Sequence, residues 1–300
     1  MIANTGGFTN LLEYGPLIKK FYMHGLGGSI PDHQKLFFTT QPSTMEHEDL
    51  LSIGDTEPIG VFNGELDYDE VQENYRKRVT NVEYARGLAI QRKLWLTGQK
   101  RVIGKLSEHL GEKVKLNRLT NAYSIWNNAF NTTNTGGDTL ALCSTAHTSN
   151  VGGSNQGNSG TSELAPAAVD ATEVLMAKFN TNKDNPMFDT KPDLLIVPVD
   201  LENYAAEISG SKGKVDTDFN NVNVFYGRYK VIGSRMLTDT NNWFLVNEKR
   251  MKDSLQWFEV MRHDFGQDTE FNSLVKRWYS YMFYGFGFEN WEFVYGHNVS

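Results

Sequence analysis

The stretch from residue 56 to residue 92 constrains this chain most. It contains IGVFNGELDYDEVQENYRKRVTNVEYARGLAI from Ile59 to Ile90, with frequent β-formers, rough alternation and a very polar middle. The pattern predicts a long hairpin with arms near 59–71 and 76–90 and a tip near 69–74. An arm of ~12 residues reaches roughly 40 Å at ~3.3 Å per residue. Around the tip both faces are polar: Glu65, Asp67, Asp69, Glu70 and Glu73 lead out, and Arg76, Lys77 and Arg78 lead back. A two-stranded ribbon without an apolar face barely holds together in water. A solvated hairpin is the plain reading; the sharper one is that the ribbon rests on another molecule. These eight charged residues are then the candidate interface side chains, through cross-strand or intermolecular pairs.

The rest of the chain reads as alternating blocks. Residues 1–44 carry short apolar clusters separated by Gly and Pro, with no persistent period, which predicts an extended arm with one short helix near 14–23. Apolar residues from Val102 to Phe130 recur mostly at three- and four-residue steps, so a helix is expected over about 100–131, some ~45 Å long at ~1.5 Å per residue. Gly104 and Gly111 lie inside it as points of bending. Residues 131–162 are rich in Asn, Thr, Gly and Ser and read as a boundary between two lobes.

Beyond it an α/β rhythm begins. Pro166 opens a helix carrying Val169, Thr172, Leu175, Met176 and Phe179. Leu194–Val197 is a buried strand, and Asp200 is placed as the cap of a helix with Leu201, Tyr204, Ala205 and Ile208. Strands at about 229–237 and 243–248 flank a turn at 238–242. In 278–288, Trp278, Met282, Tyr284, Phe286 and Phe288 face one way and Tyr279, Tyr281 and Phe283 the other, as in a strand covered on both faces.

Bulk properties exclude several classes. No apolar run approaches the ~18 residues that span a bilayer. The N-terminus has neither a basic region nor an apolar signal core. A single cysteine, Cys143, rules out an internal disulfide and fits a reducing compartment. The net charge of −7 argues against a dedicated nucleic-acid binder, which needs clustered Lys and Arg. The seven histidines show no zinc-ligand spacing, and there is no Walker loop or dinucleotide fingerprint. No catalytic, cofactor or metal residue is expected. The best enzymatic alternative, a hydrolase using Cys143 with His147, rests on their nearness in CSTAH; the plainer reading is a buried Cys beside a loop His.

The order of these parts resembles the major capsid protein of tailed bacteriophages, most closely the Mu-like major head subunit group. Tyr84 to Trp95 (YARGLAIQRKLW) resembles the stretch where the returning hairpin arm enters the body. Asp138-Thr139-Leu140 with Thr145-Ala146-His147 resembles the family's DG-x-L and AHP segment, with Thr139 and Thr148 in place of Gly and Pro. Pro192 to Pro198 with Leu201 and Ala205 resembles its P-x-x-L-x-x-P strand and helix. Met236-Leu237-Thr238-Asp239 followed by Trp243-Phe244-Leu245 resembles its L-x-D and W-x-L hairpin.

The resemblance implies an α+β fold in five parts: an N-terminal arm at 1–44, the extended hairpin loop and its flanks at 45–92, a peripheral domain with a long spine helix at 93–161, an axial α/β domain at 162–250, and C-terminal strands of the peripheral domain at 251–300. It implies a non-enzymatic subunit that assembles with itself into pentamers and hexamers, closing an icosahedral head around double-stranded DNA held without sequence-specific contacts. A separate scaffold protein and a portal are the expected assembly partners, or the chain is a processed form. The expected location is the virion, after assembly in the host bacterial cytoplasm and without a membrane. The alternative of the same architecture is an encapsulin-like shell around a cargo enzyme.

Overall fold

A computed structural model describes residues 6–66, 68–70, 72–91, 93–94, 97, 100–213, 222–270 and 275–300. Its backbone is α1 (Gly6–Leu26), α2 (His33–Phe37), β1 (Thr39–Pro42), β2 (His47–Ile53), β3 (Glu73–Thr80), β4 (Val82–Gln91) and α3 (Lys100–Asn127). Then come β5 (Ser159–Gly160), α4 (Pro166–Met176), β6 (Leu194–Pro198), α5 (Val199–Gly210), β7 (Lys230–Ser234), β8 (Trp243–Val246), α6 (Glu248–Ser254), β9 (Leu255–Glu270), β10 (Val275–Phe288) and β11 (Val294–His297). This is the expected α+β composition.

The first sheet has the order β1-β9-β10-β4. Its centre is the β9–β10 antiparallel pair, irregular around Tyr281 to Tyr284. The helix predicted at 100–131 is α3, and the 3.6-residue period holds: Ile103, Leu110, Val114, Leu119, Ala122, Tyr123 and Trp126 are all buried. Against this face lie the inward residues of β10, with Trp278, Met282 and Tyr284 buried while Tyr279 stays 44% exposed. Arg118 ties helix to sheet. Its guanidinium pairs with Glu259 and Gln34 Oε1 at 2.5 and 2.8 Å and lies over the rings of Trp257 and Tyr284.

The second sheet has the order β5-β11-β8-β6-β7, and every residue of β6 and β8 is buried. Strand alternation splits them between two cores. Leu194, Ile196, Phe244 and Val246 face the core shared with α3 and Trp126. Leu195, Val197, Trp243 and Leu245 face a second core with Val169, Met176, Ala205 and Ile208. A sheet buried on both faces needs continuous apolar strands, which is why LLIV reads as it does. The last strand, β11, pairs with β8 and β5 and so joins this sheet rather than the one holding β9 and β10.

Four expectations are corrected. The arm at 1–44 is not mainly extended: α1 runs from Gly6 to Leu26 and packs along α3. Gly111 lets the helices touch, since a Cβ there would lie 2.3 Å from the Tyr22 carbonyl oxygen. The hairpin does not pair 59–71 with 76–90. Instead β3 pairs with β2, Asp49 opposite Arg78, and β4 pairs with β10. The strands on either side of the 238–242 turn do not pair either, because β6 lies between β7 and β8. Asp200 sits in the first turn of α5, and Pro198 occupies the cap position without a side-chain bond.

Candidate interface ribbon and loop

The β2–β3 ribbon has two unlike faces. On the inner one, Leu50, Ser52 and Val79 are buried, and Leu50 and Val79 pack with Phe258. Val79 rests on β10 at Gly287, where a Cβ would lie 2.7 Å from its Cγ2. Lys77 also turns inward and donates to Thr135 Oγ1 at 3.1 Å; burial lowers its pKa. The outer face carries charges among exposed apolar Leu51 and Ile53. Arg78 grips Asp49 with two bonds of 2.8 and 3.0 Å, while Arg76 bonds Glu73 at 3.0 Å and stands 4.0 Å from Asp49. The hydrogen bond from Arg78 holds the Asp49 carboxyl below its ordinary range. The basic return strand is thus satisfied by its own chain.

Between β2 and β3 lies a loop, residues 54–72, whose base is pinned. Gly54 N donates to Gln72 O at 2.8 Å. Asn182 Oδ1 accepts from Asp55 N, and Asn182 Nδ2 donates to Ile53 O. Asn185 Nδ2 donates to Asp55 Oδ2 and Thr56 O, which helps hold the Asp55 carboxyl below its usual range. Lys183 pairs with Glu57 at 3.4 Å, and Glu57 N donates to Asp69 Oδ2 at 2.7 Å.

Past Glu57 the loop carries large apolar side chains into open space. Ile59 and Val61 are 103% and 86% exposed, and Phe62, Leu66 and Tyr68 are also exposed. Exposed apolar side chains this close together in sequence make the loop a candidate interaction site. These apolar residues are not among those expected from the charge pattern, although IGVF at 59–62 is their signal in the sequence. Of the predicted site residues, Glu65, Asp69, Glu70 and Glu73 are exposed, Arg76, Lys77 and Arg78 are engaged as described, and Asp67 lies outside the described residues.

The structure does not unite Cys143 with His147 as a catalytic pair. Cys143 is buried in the main core, Gly296 packs against its sulfur, and burial pushes its thiol pKa far up, away from a reactive thiolate. His147 spends Nδ1 on Asp138 Oδ2 at 2.6 Å and Nε2 on Asn158 Oδ1 at 3.1 Å, and stacks on Trp291 at 4.4 Å. These contacts tie the 131–162 crossover to the C-terminal segment. Among the described residues there is no group of three or more side chains able to hold a metal ion, and no helix long and apolar enough to cross a membrane.

A family model described as phage capsid protein matches residues 75–296. No curated protein sequence matches the chain. Among solved structures, the capsid of cyanophage P-SCSP1u superposes with a TM-score of 0.59 at 13% identity, over 89% of this chain and 88% of that one. The bacteriophage JBD30 capsid gives 0.60 at 12% identity, over 70% and 92%. A virus-like particle from Pyrococcus furiosus gives 0.56 at 10% identity, over 95% and 100%.

Proposed function

The chain belongs to the phage capsid protein family, and on that premise we propose that it closes a phage head by seating its 54–72 loop on a neighbouring copy of itself. It is a structural capsid protein. The observation that carries the finer reading is the loop's outer half, where Ile59, Val61 and Phe62 are solvent-exposed on a base pinned by Asn182 and Asn185. A pinned base sets the loop's direction before contact, so less ordering entropy is lost on docking. Apolar side chains at its end gain only when a partner covers them.

The partner is an identical subunit, in pentamers and hexamers that close an icosahedral shell around double-stranded DNA. Assembly takes place in the host bacterial cytoplasm with a separate scaffold protein and a portal, and the finished protein resides in the virion. DNA is enclosed without sequence-specific contact, in keeping with a net charge of −7. Within the family the chain is placed with the Mu-like major head subunits, on the four local motifs named above. The role is non-enzymatic, as the buried Cys143 supports. Acidic Glu65, Asp69, Glu70 and Glu73 on the same loop and ribbon steer its approach to the neighbour, a role that Asp67, close by in sequence, shares, while Arg76, Lys77 and Arg78 brace the ribbon.

The test replaces Ile59, Val61 and Phe62 by Ser. Burying apolar side chains of this size contributes ~1.5–3 kcal/mol each, so their loss weakens each contact by about 5 kcal/mol, or more than about a thousandfold in affinity. The variant keeps the wild-type circular dichroism and thermal transition, and electron micrographs show no closed particles. Normal, stable shells from it would refute the loop's role. Nucleic acid inside wild-type particles supports the head over a cargo shell; enzyme alone inside would favour the latter.

A further inference from the structure

The loop holds the chain's only Asn-Gly step, Asn63-Gly64. Gly64 has φ +105°, and apart from its two chain neighbours nothing lies within 4 Å of where its Cβ would stand. Asn63 is exposed, and among the described residues no hydrogen bond engages the side chain of Asn63 or the backbone N–H of Gly64. An exposed asparagine carboxamide followed by a glycine whose N–H is not engaged among the described residues is the arrangement from which a succinimide forms.

We propose that Asn63 is a self-modification site, a deamidation clock that runs in the unassembled subunit and is slowed in the shell. The Gly64 backbone nitrogen, losing its proton to water, attacks Asn63 Cγ. The Cγ–N bond of the carboxamide breaks as its nitrogen takes a proton back from water, and ammonia leaves, giving a five-membered succinimide. Water then opens either carbonyl of the ring, yielding aspartate or the β-linked isoaspartate. No oxidant or cofactor enters, and only water and the peptide itself react.

The lack of a side chain at Gly64 is what makes the step accessible. Either product adds a negative charge beside Glu65 in a segment already holding Asp67, Asp69 and Glu70, and isoaspartate also lengthens the backbone by one carbon. Both changes oppose docking of the neighbouring Phe62 and Val61. That consequence, and the slowing in shells, rest on the loop reading above; the chemistry in the free chain does not.

The test incubates the purified, unassembled chain at mildly alkaline pH. Isoaspartate is then followed by methyl transfer from labelled S-adenosylmethionine with isoaspartyl methyltransferase, and located by peptide mass mapping. Isoaspartate accumulates at residue 63 several-fold faster than at Asn150, whose amide is tied to Asn74 O and whose next residue is the branched Val151. Gly64→Ala slows it several-fold, and Asn63→Gln, which leaves Gly64 untouched, removes the signal. Equal rates at residues 63 and 150, or a wild-type rate in Gly64→Ala, overturn the site. The same measurement on assembled particles shows a several-fold slower rate; an unchanged rate there, with the free-chain result intact, overturns the docking reading and leaves the chemistry standing.

Discussion

Replacing Gly111 by Ala separates two opposing effects in the α1–α3 contact. In an isolated helix the change is favourable by ~1 kcal/mol, because Ala loses less backbone entropy than Gly. Here the new Cβ would sit 2.3 Å from Tyr22 O and 2.9 Å from Leu26 N, where ordinary contact begins at 3.4 Å. Both obstacles are backbone atoms of α1, so the whole helix must retreat by about 1 Å, at an overpacking cost of ~1–3 kcal/mol. The retreat also loosens Tyr22, which is fully buried, bonds Ser280 Oγ at 2.7 Å and stacks on Phe265 at 4.4 Å; a side chain of this kind contributes ~1.5–3 kcal/mol. With losses of about 3 kcal/mol against a gain of about 1, a net destabilisation of about 2 kcal/mol is expected. Urea unfolding of the unassembled chain reads it directly, and amide exchange in α1 should accelerate. Gly104→Ala is the internal control. The atoms nearest its Cβ belong to the Phe21 ring, at 2.9 Å, and a ring can turn aside, so the net effect is near zero. Stabilisation of Gly111→Ala by about 1 kcal/mol would show that propensity alone governs the site and would refute the close-packing account.

Other side chains give further outcomes. His297 stacks on Trp243 at 4.1 Å, accepts from Ser162 N and bonds Thr172 Oγ1, and burial lowers its pKa from 6.5 to about 4. The unfolded chain therefore binds the proton more readily, and this group's contribution to stability, full above the unfolded value, is lost as pH falls from 6.5 toward about 4; in His297→Gln the melting temperature should fall less steeply across that window. Trp126 packs edge-on against Phe37 and Phe244, so Trp126→Ala should cost ~3–5 kcal/mol. Its Nε1–H has no partner among the described residues, so Trp126→Phe should cost less than ~1.5 kcal/mol in the same unfolding assay. Arg118→Lys keeps the charge but loses the fork that reaches Glu259 and Gln34 together; a loss of about 2 kcal/mol is expected, and an unchanged denaturation midpoint would count against the pair's role.

What was legible in the sequence depended on how local its cause was. Helix α3 declares itself because one stripe, Ile103 to Trp126, meets the core at every turn. Strand β6 does so because both its faces are covered. The β2–β3 register has no such local cause. Val79 finds its place against Gly287 of β10, some two hundred residues away in sequence, and no window over 56–92 contains that contact. Alternation in 76–90 was real, but it served two partners, β2 and then β10. Helix α1 carries Pro16 and short apolar clusters broken by Gly, and what seats it is tertiary: the close approach that Gly111 of α3 permits. In the 56–78 segment the charges dominate the sequence, although Arg76, Lys77 and Arg78 are all answered within the chain. The side chains that lack an answer are the apolar ones at Ile59, Val61 and Phe62. Asp138 and His147 stand in segments that resemble family motifs, but their mutual bond depends on how the crossover folds back on Trp291.

Cryo-electron microscopy of particles formed by the wild-type chain should show closed shells in which residues 54–66 of one copy lie on the next, with Ile59, Val61 and Phe62 covered by that neighbour. A chain that stays monomeric at high concentration, or shells in which these side chains face solvent, would contradict this docking.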